Sequence, residues 1–149
     1  MTREMRRVRF QRGSTLVEFS ISAFLLVVTM LSVFEFTRML LVYTTVANAA
    51  RGGARYAIVH GATRTGSGVD GPSGPGNTTQ VESVVQGFAS TGALNVSNIN
   101  ISVTYSPSNN NPGSIVIVTA SYPYDPLLGW FSGFSGFTLG STSRGVITF

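Results

Sequence analysis

The chain has 149 residues, ten basic and six acidic side chains and no cysteine, which is enough for one modest domain. All of its basic residues are arginines, and half of them fall in the first thirteen residues, so the rest of the chain sums to zero charge. A nucleic-acid binder spreads basic residues over a folded face, and this distribution argues against one. Without a thiol, and with His60 as the sole histidine, few groups remain for catalysis or metal binding. We therefore expect a non-catalytic structural or assembly protein with no cofactor and no metal.

An uncharged, largely apolar run extends from Phe19 to Phe34, with charged residues on both sides. Glu18 and Arg38 are 20 positions apart, and a helix of about 20 residues spans the roughly 30 Å hydrocarbon core of a bilayer. Glu35 lies three residues before Arg38, so these two side chains can form an ion pair on one helix face. The arginines of the first segment favour a cytoplasmic N-terminus. The sequence thus predicts one membrane-spanning helix, with the body of the chain exported.

The helix is predicted to continue over residues 14–59, because residues 39–59 contain no proline and no glycine before Gly52. Small and apolar side chains keep helical spacing there: Val42, Val46, Ala49, Ala50 and Ala57. From Thr15 to about Val59, some 45 residues, the helix would measure about 67 Å. We expect it to pack against other helices, with Gly52-Gly53 as a point where it can break or kink. Residues 60–78 are rich in Gly, Pro and Ser, which is typical of a linker or a long surface loop.

Residues 79–149 are predicted to form a small exported α+β head. Thr79 and Glu82 make a capping-box pattern that opens a helix to about Thr91, with Gly92 at its C-terminal cap. One face of this helix is expected to be buried: Val81, Val84, Val85 and Phe88. Alternation over residues 99–105, a β-branched run over 114–122 and a weaker pattern over 138–149 predict an antiparallel sheet of about three strands, the second of them central. The predicted fold is therefore a long N-terminal transmembrane helix followed by this small head.

The start of the long helix carries the most specific pattern in the chain. Basic residues, then Gly13, then Glu18 five positions later at the start of an apolar helix, resemble the processing site of type IV prepilins. Residues 13–19 (Gly-Ser-Thr-Leu-Val-Glu-Phe) and 47–57 (Ala-Asn-Ala-Ala-Arg-Gly-Gly-Ala-Arg-Tyr-Ala) together resemble the TadE-like pseudopilins of tight-adherence (Tad, or Flp) pili. The resemblance covers about residues 10–60. The chain departs from the family at Phe24, near which family members often carry a proline, and it is shorter than the related TadG proteins.

The resemblance implies a non-catalytic minor pilin or pseudopilin that takes part in pilus assembly and surface adhesion. Residues 1–13 are then a basic leader, which a prepilin peptidase removes by cutting between Gly13 and Ser14. The cut gives Ser14 an α-ammonium group that Glu18 could neutralise on its own chain or on a neighbour, and such pairing is thought to set subunit register in type IV pilins. The implied partners are the prepilin peptidase, other pilin or pseudopilin subunits through the N-terminal helix, the pilus assembly machinery and the lipid bilayer, with no nucleic acid. The implied location is the bacterial inner membrane, with incorporation into an extracellular pilus as a further expectation.

Several alternatives stay open on the residues alone. Glu18 can be an interfacial acid favoured by the helix dipole. The chain can be an uncleaved, single-pass anchor with an exported binding head, or a secreted protein cut near residues 47–49. The acids flanking the apolar run, and its length, count against the secreted protein. The segment from Leu127 to Phe137, with Trp130, Phe131 and Phe134, either folds back as core or forms an exposed patch that contacts a partner or the membrane surface.

Overall fold

The computed structural model describes residues 4–129, 133 and 135–149, with side chains described from residue 13 onward. The chain divides into two compact units, Met1–Arg38 and Met39–Phe149. Within the described residues, a long helix α1 (Glu4–Val59) is followed by a short helix α2 (Thr79–Thr91) and the strands β1 (Asn100–Ser106), β2 (Ile115–Tyr124) and β3 (Phe137–Val146). Two short 3-10 turns lie at Gly68–Asp70 and Val96–Asn98. The predicted α+β architecture, with a long apolar helix before a small head, is confirmed.

The first unit is the N-terminal part of α1, and its apolar side chains are exposed. Leu16, Phe19 and Phe24 keep 68%, 73% and 58% of their surface accessible. The hydroxyl groups of this segment bond back to backbone carbonyl oxygens four residues earlier, as Thr29 Oγ1 does to Leu25 O at 2.7 Å. Ser20, Ser32 and Thr37 form the same kind of bond. Such bonds satisfy hydroxyl groups without water, as the interior of a bilayer requires.

The C-terminal part of α1 is the centre of the second unit. Of the predicted stripe, Val46, Ala49, Ala50 and Ala57 are buried there, and Val42 is partly buried against the same core. Ala54, which was not predicted, is buried with them. They cluster with side chains from α2 and the sheet, among them Val81, Val85, Val116 and Val118. The sequence predicted that this stripe would pack against other helices. Within the chain it is covered by α2 and the sheet, which belong with it to the second unit, Met39–Phe149.

Helix α1 continues through Gly52-Gly53, where a break or kink was thought possible. The reason is packing, since α2 approaches the backbone of α1 at both glycines. A Cβ atom built on Gly53 would lie 2.5 Å from Val85 Cγ2, and one built on Gly52 would overlap the ring of Phe88. Phe88 covers Gly52 while keeping 48% of its own surface accessible, so its expected place in the buried stripe was wrong. Val81 and Val85 are buried as expected, and Val84 is only partly buried.

Helix α2 has the predicted length but a different N-terminal cap. Its cap residue is Thr78, whose side chain makes no capping bond to the backbone, so the capping box expected at Thr79 is absent. Thr78 Oγ1 donates instead to Glu82 Oε1 at 2.6 Å. The C-terminal end agrees with the prediction, because Gly92 is the cap residue and its N–H bonds to Phe88 O.

The sheet has the order β1-β2-β3, with both pairs antiparallel. The central position of β2 is confirmed. Alternate residues of β2 point into the core, so Val116, Val118 and Ala120 are fully buried, while Ile115 keeps 42% of its surface accessible. Polar side chains cross-pair on the outer face, where Thr119 Oγ1 and Thr142 Oγ1 are 3.0 Å apart. One face of the sheet thus covers α1 and α2, and the other is largely polar.

Candidate functional site

Gly13 and Ser14, the predicted processing junction, lie inside α1 and are exposed. Apart from its own stretch of helix backbone, no atom of the described residues lies within 4 Å of a Cβ atom built on Gly13. Glycine in a helix interior is less favourable than alanine by roughly 1 kcal/mol. The helix is therefore weak at this position, and the backbone is accessible to a large partner.

Glu18 lies one turn after this junction, and it too is exposed. Its neighbours Leu16, Val17 and Phe19 are apolar and keep at least 60% of their surface accessible. A carboxylate among exposed apolar side chains is costly in a bilayer unless a positive group compensates it. An α-ammonium group at Ser14, one turn away, would lower the cost of placing the Glu18 carboxylate in a bilayer.

Glu35 and Arg38 lie at the other end of the apolar run and are in contact. Arg38 Nη1 is 3.3 Å from Glu35 Oε1 in an i,i+3 arrangement. Their side chains keep 17% and 33% of their surface accessible. The pair places both signs of charge on the helix surface with zero net charge, which lowers the cost of placing either group near lipid.

The segment 47–57 combines an inner face of small residues with an outer face of arginines. Arg51 and Arg55 are exposed, and Arg51 Nη1 donates to Asn48 Oδ1 at 3.0 Å. On the inner face, Ala54 and Gly53 are buried beneath α2 and the sheet. The Ala-Ala-Arg-Gly-Gly-Ala-Arg pattern is therefore explained by close packing within the head.

A polar cluster that the sequence did not reveal holds the 60–78 loop against the end of α1. The His60 ring stacks on Tyr56 with centroids 3.8 Å apart, and His60 Nδ1 lies 2.7 Å from the carbonyl oxygen of Tyr56, within hydrogen-bond distance. Ser73 is fully buried and its hydroxyl donates to His60 O at 3.2 Å. Tyr105 Oη donates to Ser73 Oγ at 3.3 Å. Neither the buried serine nor the stacked histidine has a local sequence signal, because their partners are far apart in the chain.

Burial raises the pKa of the Tyr105 phenol, and the hydrogen bond with Ser73 offsets this in part. The loop is thus an ordered part of the head, with a further bond from Tyr56 Oη to Val69 O at 2.5 Å.

Among the described residues, no group of three His, Asp or Glu side chains comes together as a metal site requires.

The aromatic segment after β2 is described only in part. Trp130, Phe131 and Phe134 lie outside the described residues, so the choice between core and exposed patch stays a prediction for them. Leu127 keeps 57% and Phe137 keeps 42% of its surface accessible. The Phe137 ring contacts Tyr124 with centroids 5.4 Å apart.

The architecture is that of a chain with one N-terminal apolar helix joined to an α+β head, and the helix Gly13–Val59 is by length and composition able to cross a membrane. Residues 13–55 match the model of a protein family described as TadE-like protein. The match begins at the predicted processing junction and ends within the small-residue segment, and it confirms the resemblance found in the sequence. No curated protein and no solved structure matches the chain. Together with the apolar helix Gly13–Val59, the TadE-like match is consistent with a single-pass membrane protein.

Proposed function

We propose that this chain is a non-catalytic minor pilin or pseudopilin, cleaved after Gly13 by a prepilin peptidase and used in the assembly of a tight-adherence (Flp-type) pilus and in surface adhesion. The observation that carries the proposal is the TadE-like match over residues 13–55. It falls on a helix whose apolar side chains are exposed along the first unit. A surface of this kind needs lipid or other helices to cover it, and a pilin uses lipid before assembly and neighbouring subunits after it.

The proposed orientation is a cytoplasmic N-terminus and an exported head. It is supported by the arginine-rich segment before Gly13, since positive residues close to a span stay on the cytoplasmic side. The formal net charge of the chain is +4, and residues 1–13 carry all of it. Removal of these residues would leave a chain with no net side-chain charge. The processed helix then loses the charges that hold its end in the cytoplasm, and it can be drawn out of the bilayer.

Glu18 is the residue proposed to act in assembly. After cleavage, the Ser14 α-ammonium and the Glu18 carboxylate are one helical turn apart, at about 6 Å along the axis. Compensation of the two charges, within a chain or with a neighbour, removes the penalty of placing either in an apolar bundle. If the pair forms between neighbouring subunits, it forms at only one axial position of one subunit relative to the other, so it also fixes their register.

The Glu18 role is tested by two substitutions in the native host. Glu18→Gln removes the charge and keeps the size of the side chain, and Glu18→Asp keeps the charge. We expect Glu18→Gln to reduce sheared pili, counted by electron microscopy, by at least about ten-fold, which corresponds to about 1.4 kcal/mol. Glu18→Asp should retain a clear part of the wild-type level. Wild-type numbers of pili and wild-type adhesion with Glu18→Gln would show that the role assigned to Glu18 is wrong.

A further inference from the structure

Two contacts show how the sheet runs relative to the C-terminal part of α1 in the second unit. Near the end of α1, a Cβ atom built on Gly145 of β3 would overlap the side chain of Ile58. Five residues earlier in α1, Val118 Cγ1 of β2 is 3.3 Å from the Cβ position of Gly53, and Val118 pairs with the residue of β3 two positions before Gly145. From one contact to the other, the sheet and α1 thus advance by similar distances, about 7 Å. The strands therefore run along α1, and the connection between β2 and β3 lies towards Met39.

This direction gives the height at which the sheet ends. Tyr124 and Phe137, the last pair of the ladder, are six positions from Val118 and its partner, which is about 20 Å of strand. The same distance is about 13 residues of helix, so it leads from Gly53 to about residue 40. The Tyr124–Phe137 end of the sheet is therefore level with residues 39–43, the beginning of the second unit.

Large apolar side chains from both α1 and the sheet are exposed at this end. Leu40, Leu41 and Tyr43 belong to α1. Phe137 begins β3, and Leu127 follows the end of β2 by three residues. We call these five residues the Met39-end surface. Exposed apolar side chains that lie together at one end of a unit indicate a surface that another component covers.

The charged residues of the second unit lie away from this surface. Residues 39–149 contain seven of them, and Asp125, next to Tyr124, is the one at the Met39 end. The other six lie in α1 at least 12 residues after Met39, in the loop bound to the end of α1, or beside residues that contact Gly53 or Ile58: Arg51, Arg55, Arg64, Asp70, Glu82 and Arg144. The end of the unit that the chain joins to the span is thus apolar with a single charge, and the opposite end carries the other charges.

The span brings this end of the unit to the edge of the bilayer core. Arg38 ends the predicted span, and Met39 is the next residue of the same helix. The headgroup region on each side of the core is about 5–8 Å thick, and five residues rise about 7.5 Å along a helix. Residues 39–43 therefore lie in the headgroup region. Leu127 and Phe137 reach the same layer, because they are level with these residues.

We propose that the Met39-end surface inserts into the headgroup region of the leaflet on the head's side of the membrane. The occupant is lipid, because the span brings lipid to this height whether or not another chain is near. Apolar and aromatic side chains are favourable in this layer, and the six charges at the other end stay in water. The surface is present before any cleavage, so the proposal goes beyond the proposed function and does not depend on it. The end of the sheet then holds the chain in the bilayer together with the span.

Single spin labels test this contact, because the chain has no cysteine of its own. Full-length chains with Leu127→Cys, Phe137→Cys or Val146→Cys are labelled and reconstituted into phosphatidylcholine vesicles, with fewer than one chain per vesicle on average. Val146 is the matched control, since its accessible fraction of 54% is close to the 57% of Leu127 and it lies at the opposite end of β3 from Phe137. A label at Phe24→Cys reports insertion of the span. Electron paramagnetic resonance measures the collision rate of each label with oxygen, which dissolves in lipid, and with a water-soluble nickel chelate.

We expect the nickel collision rate at Leu127 and Phe137 to be at least about five-fold lower than at Val146, with a higher oxygen rate, because a surface inserted about 5–10 Å is shielded from water. Adding Leu127→Glu to the Phe137→Cys chain should raise the nickel rate at Phe137 towards the rate at Val146, since a carboxylate opposes insertion. Ile115→Glu is the control for this substitution. It lies on an exposed residue at the opposite end of the sheet, and it should leave the rate at Phe137 unchanged.

Several results would overturn the proposal. Nickel rates at Leu127 and Phe137 equal to the rate at Val146 would show that this surface stays in water. Low rates with both oxygen and nickel would show that protein covers these side chains. Protection that appears only when several chains share a vesicle would identify a second copy as the occupant. A Phe24 label that nickel reaches would refute the span, and with it both this proposal and the proposed membrane-inserted pilin, whereas an inserted Phe24 with Leu127 in water would refute the lipid contact alone.

Discussion

The close approach of α2 to α1 at Gly53 gives a prediction that can be worked out from the structure. An added methyl group in Gly53→Ala would lie 2.5 Å from Val85 Cγ2, 3.3 Å from Val118 Cγ1 and 3.4 Å from Val81 Cγ1. All three neighbours are fully buried valines, whose β-branched side chains have little rotamer freedom. Room for the methyl group must therefore come from a shift of α2 or the sheet.

Two opposing effects decide the magnitude. Replacing glycine by alanine in a helix interior is favourable by about 1 kcal/mol, whereas forcing an extra carbon into a well-packed core costs about 1–3 kcal/mol. We expect Gly53→Ala to lower the free energy of unfolding of the second unit by about 1 kcal/mol. Gly87→Ala is the matched control, since its Cβ position in α2 has no described atom within 4 Å other than those of its own helix backbone. It should raise the same free energy by about 0.5–1 kcal/mol.

The assay is amide hydrogen exchange of the full chain in detergent micelles, followed by mass spectrometry on peptides that cover β2. The amides of a central strand report opening of the whole unit. The two glycine variants should differ by about 2 kcal/mol in the free energy of opening, with Gly53→Ala the less protected. If Gly53→Ala is protected as strongly as Gly87→Ala, the close packing of α1 against α2 is refuted.

Three further outcomes are expected. Gly13→Ala should block the proposed cleavage without disrupting the helix, so the intact mass of the chain should still include residues 1–13; wild-type processing of this variant would contradict the proposed junction. Because burial raises the pKa of Tyr105 above its ordinary value of 10.0, the stability tied to this phenol is present below about pH 10 and lost as the pH rises through the folded pKa. Tyr105→Phe should lower the free energy of unfolding at neutral pH by about 1 kcal/mol, because it removes the bond to Ser73. It should also reduce the decrease in this free energy between pH 8 and pH 11, measured by denaturant titration. An equally large decrease in the variant would contradict this reasoning. Val118→Ala, at a fully buried position, should lower the free energy of unfolding by about 2 kcal/mol, whereas Val146→Ala, where 54% of the surface is accessible, should change it by less than about 0.5 kcal/mol; equal effects in the same titration would contradict the predicted inner and outer faces of the sheet.

Local patterns were sufficient to predict most elements of the head. The apolar stripe of α2 and Gly92 after it gave the correct end of that helix, because a helix boundary depends on neighbouring residues. The β-branched run around Val116 and Val118 gave a central strand, since apolar residues on both faces of a strand favour the middle of a sheet. The start of α2 was misassigned by one residue, as Thr78 and Thr79 carry the same chemical group.

The features that could not be predicted depend on contacts between distant parts of the chain. Gly52 and Gly53 gave the pattern of a helix break, and only the position of Phe88 and Val85 on α2 explains why glycine is needed there. The loop 60–78 has the composition of a flexible linker, and it is ordered by a buried serine whose partners are His60 and Tyr105. The candidate site was more accessible to sequence analysis, because Gly13, Glu18 and the apolar run lie within one continuous segment.

The most direct test of the central claim is the intact mass and N-terminal sequence of the chain isolated from membranes and pili of its native host. The proposed function predicts a chain that begins at Ser14. A chain that keeps residues 1–13 in a host with an active prepilin peptidase would contradict cleavage and favour a permanent single-pass anchor. A chain that begins near Ala50 would indicate an ordinary secreted protein and would contradict the proposed pilin.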